Sequence, residues 1–198
     1  MENVKEKTGE QHDYSEEERY NRGKACVTAL LKWLECEFFG VFIFLSLFAL
    51  RIVMKGAGDI VFGLLGLICY ATVLADFGLK EGSKARVKNQ LRGDDVKPGF
   101  GLTLGLLSVA PALVSYAVLL LSYSGAIGSA VLGVKIANAG LWGLINAFVP
   151  TMDIADMNAA LLAVFPASQV ILMLSVFFTF VMGLRNEDIK TKIMYKNV

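Results

Sequence analysis

The chain has 198 residues, of which 55% are hydrophobic and 19% are charged, and its formal net charge is +1. Soluble domains average about 45–50% apolar and about 25% charged residues, so this composition argues against an ordinary soluble domain. The single histidine, His12, and three cysteines without metal-type spacing argue against zinc sites and histidine-based catalysis. No nucleotide-binding glycine motif is present. We therefore expect no catalytic residues, no metal and no cofactor.

Residues 1–22 are polar and mostly acidic. We expect them to form a partly disordered cytoplasmic tail, followed by a single transmembrane domain over residues 23–198. The apolar sequence after the tail begins too late and is too long for a cleaved signal peptide. The first span is therefore expected to act as an uncleaved anchor.

Four apolar runs are long enough to cross a bilayer, because about 20 residues at a rise of about 1.5 Å cover about 30 Å of hydrocarbon. The predicted spans are residues 33–54, 57–79, 100–123 and 159–184. The sequence thus predicts an all-α integral membrane protein built as a four-span helical bundle.

Basic residues cluster before the first run, between the second and third runs, and after the fourth run. Short loops rich in Lys and Arg stay on the cytoplasmic side. Both termini and the 80–99 loop are therefore predicted to be cytoplasmic, in a multi-pass protein of the cell membrane.

The segment "SAVLGVKIANAGLWGLINAFVP", residues 129–150, is apolar and about as long as a span. A crossing there would put the basic C-terminal tail outside, so we expect an amphipathic or re-entrant helix on the outer face over about 129–149. On a helical wheel one stripe contains polar and aromatic side chains: Lys135, Asn138, Trp142 and Asn146. We expect this stripe to face the lipid headgroups and the small residues opposite to pack on the bundle. The alternative topology has five spans and one terminus outside.

Small residues recur along one face of the third run at spacings of three and four. The helix-packing residues predicted from this pattern are Gly101, Gly105, Ser108 and Ala112, with Ser115 extending the same face. Small side chains let membrane helices approach closely, so this face is expected to contact a neighbouring helix.

Polar residues near the hydrocarbon are functional candidates by default. The pairs Lys32–Glu35 and Asp76–Lys80 have helical spacing and are expected to be simple ion pairs. Asp59 is expected to pair with Arg51 or Lys55. Glu37 has no basic residue three or four positions away, so its partner must come from the 80–99 loop, the C-terminal tail or water. The candidate intramembrane polar residues are Glu37, Gln169, Asn138 and Asn146.

Three stretches, "KPGFGLTLGLLSVAPALVSYAVLLLSY", "GLWGLINAFVPTM" and "GLRNEDIKTKIMYKN", occur in this order in the C-terminal half. In this layout the chain resembles a poorly characterised set of small multi-spanning membrane proteins of Gram-positive anaerobes. The resemblance implies a topology, and it carries no activity and no site residue.

The absence of catalytic residues, the polar tail and the small-residue face favour a non-enzymatic membrane protein that binds a partner or supports the assembly of a complex. The expected partners are the lipid bilayer and either another protein or a second copy of the chain, with no nucleic acid. The alternative is a small solute or ion permease or channel subunit, supported by the intramembrane polar residues. A membrane enzyme is the third class considered.

Overall fold

The computed structural model describes residues 19–185, apart from the side chains of residues 47–52, 55–56 and 92. The described helices are α1 (Arg22–Arg92), α2 (Phe100–Tyr123), α3 (Val131–Ile136), α4 (Trp142–Phe148) and α5 (Leu161–Arg185). Two 3₁₀ turns lie at Ala139–Leu141 and Ile154–Asp156. Residues 19–185 contain no strand, which confirms the predicted all-α class. Most of the predicted tail and the end of the basic C-terminal segment lie outside the described residues.

Helix α1 is assigned as helical throughout, yet its two limbs pack against each other. The rings of Trp33 and Tyr70 are 5.5 Å apart, and those of Phe44 and Phe62 are 5.7 Å apart. A straight helix would hold two residues 37 positions apart at about 55 Å. Helix α1 is therefore bent back on itself between Phe44 and Phe62, and we call residues 22–46 its first limb and residues 57–92 its second limb.

Three stretches are long and apolar enough to cross a membrane: Ala57–Leu91, Phe100–Tyr123 and Leu161–Arg185. They contain or closely match the predicted spans 57–79, 100–123 and 159–184, so the chain has the properties of a membrane protein. The predicted span 33–54 is not among them. Its described part carries Glu35 and Glu37 close to Lys32. The four-span count therefore stays a prediction.

The described ends of the chain lie at the same end of the bundle. The backbone N–H of Tyr20 donates to Asp94 Oδ2 at 2.7 Å, which ties the start of α1 to the loop before α2. At the other terminus, Gly82 of α1 packs against Phe180 and Leu184 of α5. The start of α1, its end, the start of α2 and the end of α5 thus share one face of the molecule.

Tyr20 also anchors this end through its side chain, whose hydroxyl donates to Glu81 Oε2 at 3.0 Å. Burial, together with the neighbouring Glu81 carboxylate, raises the pKa of the Tyr20 hydroxyl well above its ordinary value. Tyr20 is therefore a neutral donor throughout the physiological pH range.

Glycine residues permit the closest helix contacts of the bundle. A Cβ on Gly101 would lie 2.7 Å from the Phe180 ring, and a Cβ on Gly105 would lie 2.6 Å from the Met173 carbonyl oxygen. All four residues predicted for packing are buried in α2, as is Ser115. The small-residue face of α2 thus lies against α5.

Candidate functional site

Residues 129–152 form a hairpin that leaves one end of the bundle and returns to it, and we call it the inserted hairpin. Ser129 Oγ donates to the Met152 carbonyl oxygen at 2.7 Å, so the two ends of the segment are adjacent. Between them the chain runs through α3, the 3₁₀ turn Ala139–Leu141 and α4. The ends also meet α2, because the Ala130 N–H donates to Ser122 Oγ at 3.1 Å.

The sequence predicted one continuous helix over about residues 129–149. This prediction is wrong, because the helix is broken at Asn138. The backbone of Asn138 has φ −137° and ψ 53°, which is not helical. Its side-chain amide donates to the Val134 carbonyl oxygen at 2.8 Å, so it satisfies a carbonyl that the end of α3 leaves without a helical donor. The side chain thus replaces the helical hydrogen bond that the break removes.

The prediction that the polar stripe faces the headgroups is also wrong. Lys135 and Asn138 are fully buried, Asn146 is 6% exposed, and Trp142 is half-buried. A buried polar group is stable only when it is hydrogen-bonded. A helical wheel could not show that α1, α2 and the hairpin itself supply the hydrogen-bond partners of these polar side chains. On the opposite face of the wheel, Gly133 and Ala137 are exposed.

One buried polar cluster, which we call the charged bridge, joins both arms of the hairpin to α1. Lys135 Nζ donates to Asn146 Oδ1 at 2.9 Å and to the carbonyl oxygens of Val149 and Thr151 at 2.7 and 2.8 Å. Asn146 Nδ2 then donates to Asp59 Oδ2 at 2.8 Å. The Asn146 amide therefore connects a buried ammonium to a carboxylate that is 8% exposed. The predicted partners of Asp59, Arg51 and Lys55, have side chains outside the described set.

A second polar cluster, which we call the bend site, lies where the hairpin meets the two limbs of α1. Glu37 Oε2 accepts from the Ala139 N–H at 2.7 Å, and the Tyr70 hydroxyl oxygen accepts from the Gly140 N–H at 3.1 Å. The Tyr70 hydroxyl also lies close to the Glu37 carboxylate. The described hydrogen bond of Glu37 thus goes to the hairpin, and none of the described ones goes to the 80–99 loop; the C-terminal tail after Arg185 lies outside the described residues.

Asn138 connects the bend site to α2, because its Nδ2 donates to Ser115 Oγ at 2.8 Å. Ser115 lies eight residues before the end of α2, or about 12 Å along the helix axis. The bend of the hairpin therefore lies beside the interior of α2 and not beside the end of that helix.

The close approach of the hairpin to α1 depends on glycines in both. A Cβ on Gly40 would lie 2.5 Å from the Gly140 Cα, and a Cβ on Gly66 would collide with the Gly140 carbonyl oxygen. Gly140 is thus enclosed by the first limb, the second limb and the Tyr70 ring. A larger residue at any of these positions would push the bend away from Glu37.

Two acceptor oxygens at the bend lack a hydrogen-bond partner among the described residues: Glu37 Oε1 and Asn138 Oδ1. Both are buried, although buried acceptors are normally satisfied. The nearby donors are already used, because the N–H groups of Ala139 and Gly140 bind Glu37 and Tyr70. The bend site therefore has spare capacity to accept hydrogen bonds or to coordinate a cation.

Gln169 in α5 is 1% exposed and provides a third acceptor, Oε1, that no described donor reaches. Its amide donates to the adjacent Ser168 Oγ at 3.2 Å, and the described contacts contain no hydrogen bond from Gln169 to another helix. Helices α2 and α5 pair Gly105 with Met173 and Tyr116 with Phe165. This register places Gln169 near residue 111 of α2, about one helical turn from Ser115.

The four sequence candidates therefore lie in different places. Glu37 and Asn138 share the bend site, Asn146 belongs to the charged bridge, and Gln169 lies on a separate helix. Sequence reasoning did not select Tyr70, Ser115 or Lys135 as members of these clusters. Only the charge of Lys135 in an apolar segment was a usable signal, since Tyr and Ser are ordinary residues in membrane helices.

The simple ion pairs are as predicted. Lys80 Nζ lies 2.6 Å from Asp76 Oδ2, and Lys32 pairs with Glu35. Neither pair involves Glu37. In residues 19–185 no group of three or more His, Cys, Asp or Glu side chains is placed to hold a metal ion.

The chain was compared with protein-family models, with curated proteins and with solved structures, and none of them matches it.

Proposed function

We propose that the protein is a non-enzymatic permease or channel subunit of the cell membrane, in which the inserted hairpin forms the binding site for a transported solute or ion. Four crossing segments surround the site: the two limbs of α1, α2 and α5. Both termini are cytoplasmic in this proposal, and the hairpin enters the membrane from the outer side and returns to it.

The observation that carries the proposal is the helix break at Asn138, whose fully buried side chain is hydrogen-bonded to Ser115 of α2. Irregular backbone is tolerated within a bilayer only where protein surrounds it or where it lines a cavity. Broken helices of this kind form the binding sites of many transporters. The unpaired oxygens of Glu37 and Asn138 at the break are the groups that a bound solute or ion would satisfy.

The geometry favours this role over the partner-binding role because the polar groups point inward. A docking surface for another protein would need distinctive groups on the outside, whereas the exposed face of the first limb over residues 38–45 is apolar, as lipid contact requires. Lys135 and Asp59 are instead buried in the interior, and Glu37 is half-buried with its Oε1 atom enclosed; ionisable groups in such places mark ion and substrate paths.

The proposed topology is tested with single cysteines in a cysteine-free background. Gln90 and Ala126 are exposed at opposite ends of the bundle, and Asn197 reports the C-terminus. We expect Ala126→Cys to react with an impermeant thiol reagent on intact cells, and Gln90→Cys and Asn197→Cys to react only after permeabilisation. Labelling of position 197 on intact cells would contradict the four-span topology.

The proposed transport is tested with purified protein in sealed vesicles, where currents and internal pH are recorded under gradients of small cations, small anions and amino acids. We expect a signal with the wild type that Glu37→Gln abolishes. Glu35→Gln is the matched control, because Glu35 lies two residues away and forms only an exposed pair with Lys32. If no gradient produces a signal and a stoichiometric protein partner co-purifies, the partner-binding role replaces this proposal.

A further inference from the structure

We infer that the bend site binds one dehydrated monovalent cation, with Glu37 Oε1 and Asn138 Oδ1 among its ligands. This cation site rests on the proposed function, and it adds the chemical class of the ligand. It rests on the unpaired atoms of the site and on its charge.

The bend site offers unpartnered acceptors, and its described N–H donors are already occupied. Glu37 Oε2 already accepts from Ala139, Tyr70 accepts from Gly140, and the Asn138 amide nitrogen has two acceptors of its own. The unpartnered atoms are both oxygens, and Asn138 is fully buried. Oxygen ligands suit hard cations, whereas an anion would need the N–H groups that are already occupied.

The charge at the site indicates a single positive charge. Among the described residues Glu37 is the only ionisable carboxylate at the bend, and it accepts a hydrogen bond from the neutral N–H of Ala139, with the neutral hydroxyl of Tyr70 beside it. The other buried carboxylate of this region, Asp59, is linked through Asn146 to the Lys135 ammonium. A buried charge must be compensated, and one carboxylate compensates one monovalent cation.

A divalent metal would need more ligands than the bend provides. Calcium takes six to eight oxygen ligands and usually several carboxylates, and magnesium retains several waters in octahedral geometry. The described residues offer no cluster of three acidic or metal-ligating side chains. The carboxyl end of α3 at the same bend adds backbone carbonyls that lack helical donors, which are typical ligands of alkali cations in membrane proteins.

The test measures binding without transport. The purified full-length protein in lipid nanodiscs is kept in N-methylglucamine chloride, and its thermal unfolding is followed while Na⁺, K⁺ or NH₄⁺ replaces the large cation at constant ionic strength. We expect saturable stabilisation by at least one of these ions. Glu37→Gln should weaken that binding about tenfold or more, since it removes a charge-assisted contact.

Two further variants separate binding from folding. Glu35→Gln should bind as the wild type does, because its carboxylate lies outside the bend. Asn138→Ala removes one proposed ligand oxygen and should weaken cation binding. Because it also removes the amide donors to Ser115 and Val134, its unfolding temperature in N-methylglucamine chloride alone reports the cost to folding. Absence of saturable stabilisation by all three ions, or equal affinity in wild type and Glu37→Gln, would overturn the inference.

The outcomes also distinguish the inference from the proposed function. Cation binding that depends on Glu37 without any flux in vesicles would keep the inference and refute the transport role. Flux of an anion or a neutral solute that proceeds without small cations would keep the transport role and overturn the inference.

Discussion

Replacement of Lys135 by methionine tests the charged bridge, because methionine keeps the length of the side chain and removes its charge. The variant loses three hydrogen bonds of 2.7–2.9 Å and the positive charge that faces Asp59 through Asn146. The Asn146 amide lies between Lys135 and Asp59 and is hydrogen-bonded to both, which places the ammonium and the carboxylate about 6 Å apart. At an effective dielectric constant of about 20, their attraction is about 3 kcal/mol.

We expect Lys135→Met to lower the free energy of unfolding by about 3–5 kcal/mol, as removal of one partner from a buried pair typically does. In an Asp59→Asn background the same change should cost about 2–3 kcal/mol less, because the attraction between the Lys135 ammonium and the Asp59 carboxylate is already absent. The measurement is a double-mutant cycle of reversible unfolding in mixed micelles.

The matched control is Lys80→Met, which removes an exposed lysine from its exposed pair with Asp76. Exposed pairs contribute little, so this variant should unfold much like the wild type. If Lys135→Met has the same effect in both backgrounds, Lys135 and Asp59 are not coupled and the charged bridge does not stabilise the hairpin.

Three further predictions concern packing and the end of the bundle that contains both described termini. Gly66→Ala should displace the hairpin and lower the unfolding temperature in detergent, because its methyl group would meet the Gly140 carbonyl. A Cβ at the control position Gly133 would have nothing within 4 Å, so Gly133→Ala should not lower the unfolding temperature. Equal unfolding temperatures of the two variants would contradict the close packing. Gly105→Leu should destabilise the contact between α2 and α5 far more than Leu106→Val, whose side chain is exposed, and comparable thermal stability of the two would show that this face does not pack closely. Tyr20→Phe removes the hydrogen bond to Glu81 and should cost about 1 kcal/mol of unfolding free energy. Since the folded-state pKa of Tyr20 is raised, the difference should be constant below about pH 10 and disappear at higher pH; a difference that instead grows with rising pH would contradict a neutral Tyr20 donor.

The amino-acid sequence by itself determined the helical class and most of the membrane-compatible segments. Long apolar runs permit few other structures, because a backbone in hydrocarbon must satisfy its own hydrogen bonds. The local ion pairs Lys32–Glu35 and Asp76–Lys80 were predictable for a similar reason, since helical spacing alone brings their charges together.

The small-residue face of α2 was also visible in the sequence, whereas the helix that packs against it was not. The spacing of Gly101 and Gly105 shows that a close contact is permitted, and it does not name Phe180 and Met173 as the residues that make it. Contacts between helices depend on relative orientation, which no local pattern records.

The hairpin was decided by tertiary structure. A helical wheel assumes an unbroken helix in a two-sided environment, with water or headgroups on one side and apolar groups on the other. The bundle instead buries polar partners: Glu37, Tyr70 and Ser115 meet the break at Asn138, and Asp59 meets Asn146. These residues are 23 to 102 positions from their partners along the chain. Local periodicity could therefore identify the polar stripe, but only the packed bundle determined that this stripe faces inward.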